Sequence, residues 1–331
     1  MEQIGGVESV DRCIGRLYRS ALSVPSESFR SWALEQLQSV VAFDGALWGT
    51  GTLPRLMFHS VATVGLPDDF PRALEQVHSF NPLMPRLLAS LGEPVDMRSV
   101  VPDAEFFQMP VYRECYARYG ISRILGSGHL DPRSGLYSLL TLYRKDRRQV
   151  FSETDRRNQQ RATFHLINAA SHAFFLHLMR SAGDRPAESA AAAVDSEGIF
   201  HEAQPRFLEL LDKHFPGRTP YTLPFPLPPR GRTTVIEGLC VGCQRVDDFN
   251  YVFIWPAGAL DRLTQREREI VYAVAHGLSF KQAARRIGIA PSTVANHLYR
   301  IYRKLGVCSR SELAGLVYPQ AHHHPDPAQA S

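Results

Sequence analysis

Residues 279–307 read SFKQAARRIGIAPSTVANHLYRIYRKLGV, and their spacing leaves the backbone little choice. A short helical run from Phe280 to Ile287 meets Gly288, which breaks it, and Pro291 suits the first turn of a second run. In that second run Val294, Leu298, Ile301 and Leu305 recur at intervals of four, three and four, the stripe of a helix buried along one side. Ser292, Thr293, Ala295, Asn296, Tyr299, Arg300 and Arg303 fall largely off the stripe. Two short helices around a tight turn, the second with polar and basic residues on its free face, form a helix-turn-helix pattern. Just upstream, LTQREREIVYAVAHG adds another helix: Thr264 and Glu267 have capping-box spacing, Ile270, Val271, Val274 and Ala275 supply an apolar face, and Gly277 ends it.

Charge agrees with the pattern. The formal net charge is only +4, but Asp261–Gln320 holds ten Arg or Lys and four Asp or Glu, so a local +6 faces about –2 on the rest of the chain. A positive field confined to one domain suits a polyanionic partner, double-stranded DNA. A helix of this kind enters the major groove, where Asn pairs with adenine and Arg with guanine. Lys281, Arg285 and Arg286 are placed for phosphates, which gives affinity without sequence choice. The candidate DNA contacts are therefore Lys281, Arg285, Arg286, Ser292, Thr293, Asn296, Tyr299, Arg300, Arg303 and Lys304.

The first 250 residues have globular composition, within a chain of 331 residues that is 44% hydrophobic and 21% charged. No run approaches eighteen apolar residues, so no membrane span is expected, and MEQIGGVESVDRC lacks the basic flank and apolar run of a secretory signal. Five cysteines (13, 115, 240, 243 and 308) are no disulfide framework, and a reducing cytoplasm is the expected setting. SFRSWALEQLQSVVAF (28–43) has amphipathic helical spacing through Phe29, Ala33, Leu37 and Val40. ALWGTG, LMFHSVATVG, ISRILGSG and LYSLLTLYR are strand candidates, and Asp68 to Tyr119 reads as short helices and loops. Ser152 with Asp155 resembles a capping box for a long helix, on which Phe164, Ile167, Ala170 and Phe174 mark one face.

An α+β domain over 20–180 follows. From Ser181, SAGDRPAESAAAAVD is a linker candidate whose alanine run could equally lengthen a helix. A smaller unit is expected after it: DSEGIF as turn and strand, PRFLELLDKHF as a helix, and TTVIEGLCVGC and YVFIWPAG as paired strands. PYTLPFPLPPRG is too rich in proline for regular structure, and the tail 319–331 has no periodicity.

From Leu263 to Leu316 the sequence resembles the C-terminal DNA-binding domain of LuxR-type regulators. LTQRERE, GLSFKQAARRIGI, STVANHLYRIYRKLGV and SRSELA carry the likeness in order. The resemblance implies a fourth helix near Ser311–Val317 that helps dimerisation, and hence a homodimer. Three positions depart from the family: Phe280 where Asn is usual, Ala290 where Ser caps the recognition helix, and Ala295 where Lys commonly contacts DNA. The last leaves Thr293, Asn296 and Arg300 as the stronger candidates for sequence preference.

Residues 20–180 resemble a GAF-like sensory domain, chiefly through QVFSETDRRNQQRATFHLINAASHAF, and 181–256 could hold a shortened PAS-like unit. The fold expected is thus an α+β sensory region followed by an all-α, four-helix domain at 261–318. A GAF-like domain can hold an apolar effector between sheet and helices. Trp48, Phe58, Phe80, Phe106, Phe107, Tyr112 and Tyr116 are candidates for the lining, with completion of the core as the competing role for each. The function expected is a dimeric, cytoplasmic transcriptional regulator and not an enzyme, with no cofactor and no metal. One rival makes the front half a ligand-free dimerisation or docking scaffold. Another makes the chain a thiol-redox or metal-dependent enzyme built on Cys240 and Cys243, but a single pair does not complete a zinc site. His165, His172 and His177 are spaced by seven and five, which builds no i, i+4 metal pair.

Overall fold

A computed structural model describes residues 2–52, 58–181, 186, 188–229, 231–246 and 249–317. The chain divides into two units, Met1–Arg232 with Gly242–Ile254, and Thr233–Val241 with Trp255–Ser331.

The first unit begins with α1 (Glu2–Ser20), a helix the sequence reading missed although Val10, Cys13 and Leu17 recur at three and four and are all buried. Next come α2 (Ser26–Gln38) and the strands β1 (Gly45–Thr52) and β2 (Phe58–Val64). Short helices follow: α3 (Phe70–Gln76) and α4 (Leu83–Ala89), then, after strand β3 (Pro94–Asp96), α5 (Met97–Val100), α6 (Asp103–Phe106) and α7 (Pro110–Glu114). Strands β4 (Arg123–Leu130) and β5 (Leu136–Arg144) lead to the long helix α8 (Glu153–Ser181). The five strands form one antiparallel sheet ordered β2-β1-β5-β4-β3.

Both faces of this sheet are covered, which is why all eight residues of the interior strand β1 are buried. Ala46, Trp48, Leu125, Leu140 and Leu142 face α1, α2 and α8. Leu47, Ile124, Leu139 and Tyr143 face the short helices. Each fully buried Leu, Ile or Phe contributes about 1.5–3 kcal/mol. Gly128 lets α4 approach closely, since a Cβ there would lie 3.1 Å from the Leu87 carbonyl oxygen.

Two of the polar side chains this packing buries tie the sheet to its surroundings. Arg144 donates to the Ala42 and Val150 carbonyls at 2.8 Å each and to Asp155 at 3.2 Å. Gln159 on α8 reaches the sheet carbonyls of Leu125 and Leu140. Asp155 closes a reciprocal box with Ser152 at the start of α8, accepting from Ser152 N at 2.8 Å while its own N donates to Ser152 Oγ at 3.1 Å. Phe164, expected on the packed face of α8, is 56% exposed; Ala162, Leu166, Ala169 and Ala173 take that face instead.

The alanine run forms strand β6 (Ala190–Val194), not a helical extension, and all five residues are buried. It is followed by β7 (Phe200–Ala203), α9 (Pro205–His214), β8 (Thr234–Ile236), β9 (Leu239–Val246) and β10 (Phe249–Pro256), in a sheet ordered β7-β6-β10-β9-β8. Small side chains lose their helical preference here because β6 pairs with β10 from Ala190↔Ile254 to Val194↔Asn250 and lies under α9. The last part of the expected linker is therefore sheet; within it, residues 182–185 and 187 lie outside those described.

In the second unit four helices follow in order: α10 (Gln265–Ala275), α11 (Phe280–Ile287), α12 (Pro291–Leu305) and α13 (Arg310–Val317). Ile270, Val271, Val274, Ala283, Ala284, Val294, Leu298, Ile301 and Leu313 make its core. The α+β front region and the all-α C-terminal domain match the expected fold class. The tail 319–331 lies outside the described residues.

Candidate nucleic-acid interface and ligand cavity

Helices α10 and α11 each begin with a reciprocal capping box, Thr264 with Glu267 and Ser279 with Gln282. The turn into α12 runs through Gly288, whose φ of 74° is the left-handed conformation glycine adopts without strain. Helix α12 then starts on Ala290, which makes no side-chain cap, with Pro291 in its first turn. Its other end is fixed by Gly306 in the left-handed region. Arg310 ties α13 back, donating to the Val274 and Leu278 carbonyls at 2.9 Å each.

Val294, Leu298 and Ile301 are buried as the stripe requires, and Leu305 is half-buried. Ser292, Asn296, Tyr299, Arg300 and Arg303 are exposed, while Thr293 is half-buried. Tyr299, at 66%, is among the most exposed large side chains described. Lys281, Arg285 and Arg286 are exposed on α11 and form no ion pair among the described residues. These cations and the open face of α12 leave a set of basic and polar side chains exposed on neighbouring helices.

Lys304 differs from its neighbours. Its Nζ lies 2.5 Å from Glu267 Oε1, and Glu267 is 6% exposed. Burial alone would raise the Glu267 pKa, but hydrogen bonds from Lys304 and Thr264 outweigh it and hold the carboxyl below its ordinary range. A phosphate would have to compete with this internal partner. Lys304 therefore locks α12 onto α10, a role the spacing did not reveal.

The seven aromatic candidates separate into four environments. Phe58 and Tyr116 line a cavity of about 470 Å³ on the short-helix face of the first sheet, together with Leu74, Met84, Leu139 and Tyr143. Trp48 points to the opposite face. Phe106 is buried in the core, with Phe107 and Tyr112 packed around it at centroid distances of 5.4 and 5.3 Å. Phe80 is 40% exposed.

The 470 Å³ cavity is apolar with a few polar groups at one place. Asn81 is 6% exposed; its Nδ2 donates to Tyr116 Oη at 3.1 Å and its Oδ1 accepts from Leu83 N at 3.1 Å. Tyr143 presents a buried hydroxyl beside the Thr141 side chain. Burial pushes both tyrosine pKa values upward, so both stay neutral and can donate. Asn81, Thr141 and Tyr143 are wall residues that the sequence did not single out; for Thr141 and Tyr143 the role depends on the register of β5.

The cysteine pair behaves as core. Cys240 and Cys243 are both buried, and burial with the adjacent Asp261 pushes the Cys240 thiol up to about 12. A thiol held protonated is a poor nucleophile. Among the described residues no group of three or more His, Cys, Asp or Glu is arranged to hold a metal, and no helix is long and apolar enough to cross a membrane.

Residues 261–317 match the family of bacterial regulatory proteins of the luxR type, GerE. A Mycobacterium bovis protein named as an HTH-type transcriptional regulator is 45% identical over 58 residues, 18% of this chain and 7% of its own length. The transcriptional regulatory protein UhpA of Escherichia coli is 40% identical over 62 residues, 19% of this chain and 32% of UhpA. The chain thus spans less than a third of the length of either relative. Among solved structures, Escherichia coli SdiA superposes with a TM-score of 0.38 at 12% identity, covering 92% of this chain and 94% of that one. The C-terminal four helices are a LuxR-type helix-turn-helix domain.

Proposed function

We propose that the chain is a transcriptional regulator that binds double-stranded DNA as a homodimer through α11 and α12 and is controlled by a small effector held in the 470 Å³ cavity. The observation that carries the DNA half is the division of α12: one face closed into the core by Val294, Leu298 and Ile301, the other exposing Asn296, Tyr299, Arg300 and Arg303. Arg300 and Asn296 read base edges, and Lys281, Arg285 and Arg286 hold phosphates. The effector has an apolar body for the walls set by Leu74, Met84 and Leu139, and a polar group for the Asn81, Tyr116, Thr141 and Tyr143 side chains. The cytoplasm is where such a regulator meets DNA.

The test is a salt-controlled fluorescence-anisotropy titration of the full chain with operator-containing and random duplexes. Arg300→Ala is expected to lose about 1–3 kcal/mol on the preferred site and less on random DNA. Lys281→Ala should weaken both alike and reduce the salt slope by about one. Unchanged affinity and preference in both variants overturns the assignment of α11 and α12. Native mass spectrometry of the same protein reads the other half: a dimer with an added mass lost on denaturation supports the effector.

A further inference from the structure

The open side of α12 is divided within itself. Val294, Leu298 and Ile301 fix the buried direction, and each residue turns the helix by about 100°. Asn296 and Arg303 therefore stand opposite the core. Arg300 lies towards one edge of the open face, and Ala295 and Tyr299 lie together towards the other. Ala295 is half-buried and Tyr299 is 66% exposed. Four residues apart on one helix, their Cβ atoms are about 5–6 Å from each other.

Lys304 is committed to Glu267. The side chains of Asn296, Tyr299, Arg300 and Arg303, by contrast, make no hydrogen bond, ion pair or ring contact among the described residues. A phenol ring standing open on this face is a rigid, amphipathic group that gains from burial against a partner. Ala295 ends in a methyl group and carries no side-chain donor or acceptor. In the major groove, the base-edge feature that such a group recognises is the C5-methyl of thymine. A base edge that offers hydrogen-bonding groups to this strip loses water there without gaining a partner. The strip therefore selects for one base and against the others.

We propose that Ala295 and Tyr299 are specificity-determining residues, forming an apolar seat for the C5-methyl group of one thymine in each half-site; this rests on the reading of α12 as the helix that enters the major groove. Ala295 supplies the methyl contact, and the Tyr299 ring covers it from water one turn further on. Ala295 and Asn296 are neighbours with Cα atoms about 3.8 Å apart. The thymine accordingly lies within about two base-pair steps of the adenine that Asn296 reads.

The test starts by enriching a bound duplex from a random-sequence library with the full chain. Each thymine of the enriched half-site is then replaced in turn by deoxyuracil, which removes the methyl and keeps every hydrogen-bonding group. Affinity is read by fluorescence anisotropy at constant salt. One replacement per half-site is expected to weaken wild type about four-fold, the effect of one buried methyl group. That penalty should fall below about two-fold in Ala295→Gly and in Tyr299→Ala, which each remove part of the seat. Lys281→Ala should weaken every duplex alike and leave the uracil penalty at its wild-type value. With the same thymine·adenine pair changed to cytosine·guanine, methylating that cytosine at C5 should restore about four-fold in wild type.

Sequence-selective binding with no uracil penalty at any thymine overturns this inference and leaves the DNA-reading role of α12 standing. A penalty that is unchanged in both Ala295→Gly and Tyr299→Ala overturns the assignment to these residues. Failure of the full chain to bind any duplex overturns the proposed function, and the inference falls with it. If Ala295→Gly does not fold, Tyr299→Ala, a change at an exposed position, and the methylated and unmethylated duplexes with wild type still decide.

Discussion

The two sheets of the front region share a strand order, 2-1-5-4-3 when each is counted from its own first strand, but their interiors are built differently. In the first, five short helices lie between the second strand and the fifth, α3 to α7, and the strands carry Trp48, Tyr137 and Tyr143. Large side chains held by many short covers leave a gap, and the 470 Å³ cavity opens on that face. In the second, one helix stands in that position, and its first strand is Ala190 to Ala193 with Val194. Small residues let α9 settle directly on β6. Strand order therefore does not decide whether such a sheet can hold a ligand; the covering elements and the side-chain volume do.

The largest test of this contrast concerns Phe207, which is fully buried on α9 and stacks edge-on against Phe200 at 6.1 Å. Phe207→Ala should cost about 3–5 kcal/mol. Hydrogen exchange is expected to rise in 190–211 and 250–254 well before it rises in 45–52 and 136–144. If both sets of amides lose protection together, the sheets form one cooperative unit and the contrast is only geometric.

A matched pair sharpens it further. Ala192→Leu adds volume where β6 has no space and should lose about 1–3 kcal/mol by overpacking. Thr141→Leu adds volume at the wall of the 470 Å³ cavity and should change stability by less than about 1 kcal/mol. Equal losses in denaturant midpoint would mean that the cavity does not accept added volume.

The two sheets also meet at a histidine pair, and this junction is sensitive to pH. His59 on β2 and His201 on β7 lie 4.0 Å apart between ring centroids. Burial, then the charges of His201 and Arg30, lower the His59 pKa from its ordinary value to about 3. The folded state therefore keeps His59 neutral while the unfolded chain takes up a proton below about pH 6.5, so stability is present above that pH and lost as pH falls. By pH 5 the loss is at most about 2 kcal/mol, reduced because the ring is not wholly excluded from water. His59→Gln should flatten the dependence of the melting temperature between pH 6.5 and 5; an unchanged slope would assign it to other groups.

Legibility in the sequence followed the range of the forces involved. Capping at Thr264 and Ser279, the glycine turn at Gly288 and the stripe from Val294 to Ile301 are settled within a few residues of each other, so the helix-turn-helix could be read directly. Four of the five first-sheet strands were readable for the same reason; the three-residue β3, inside a stretch read as short helices and loops, was not. The alanine run was not, because its helical preference is a local property that pairing with β10 overrides. Nor could the cavity walls be assigned: Trp48 and Leu47 are neighbours in sequence but face opposite sides, and only the register of β1 against β5 shows which side has space. Lys304 looked like its neighbours Arg300 and Arg303 until Glu267, thirty-seven residues away, came within 2.5 Å.

The smallest effect expected lies in the other unit, where neighbouring helices again differ. Helices α10 and α11 satisfy their first amides with Thr264 and Ser279, while α12 begins on Ala290 and leaves that donor group without a side-chain acceptor. Ala290→Ser should supply one and raise the stability of the domain by about 1 kcal/mol. The free amides also lie where the helix dipole favours a negative charge, so an uncapped start can take a DNA phosphate. Measured together, melting temperature and DNA affinity separate two reasons for the missing cap. A higher melting temperature with unchanged affinity marks Ala290 as a tolerated weakness. A higher melting temperature with weaker binding means that the serine competes with phosphate for the amides at the start of α12.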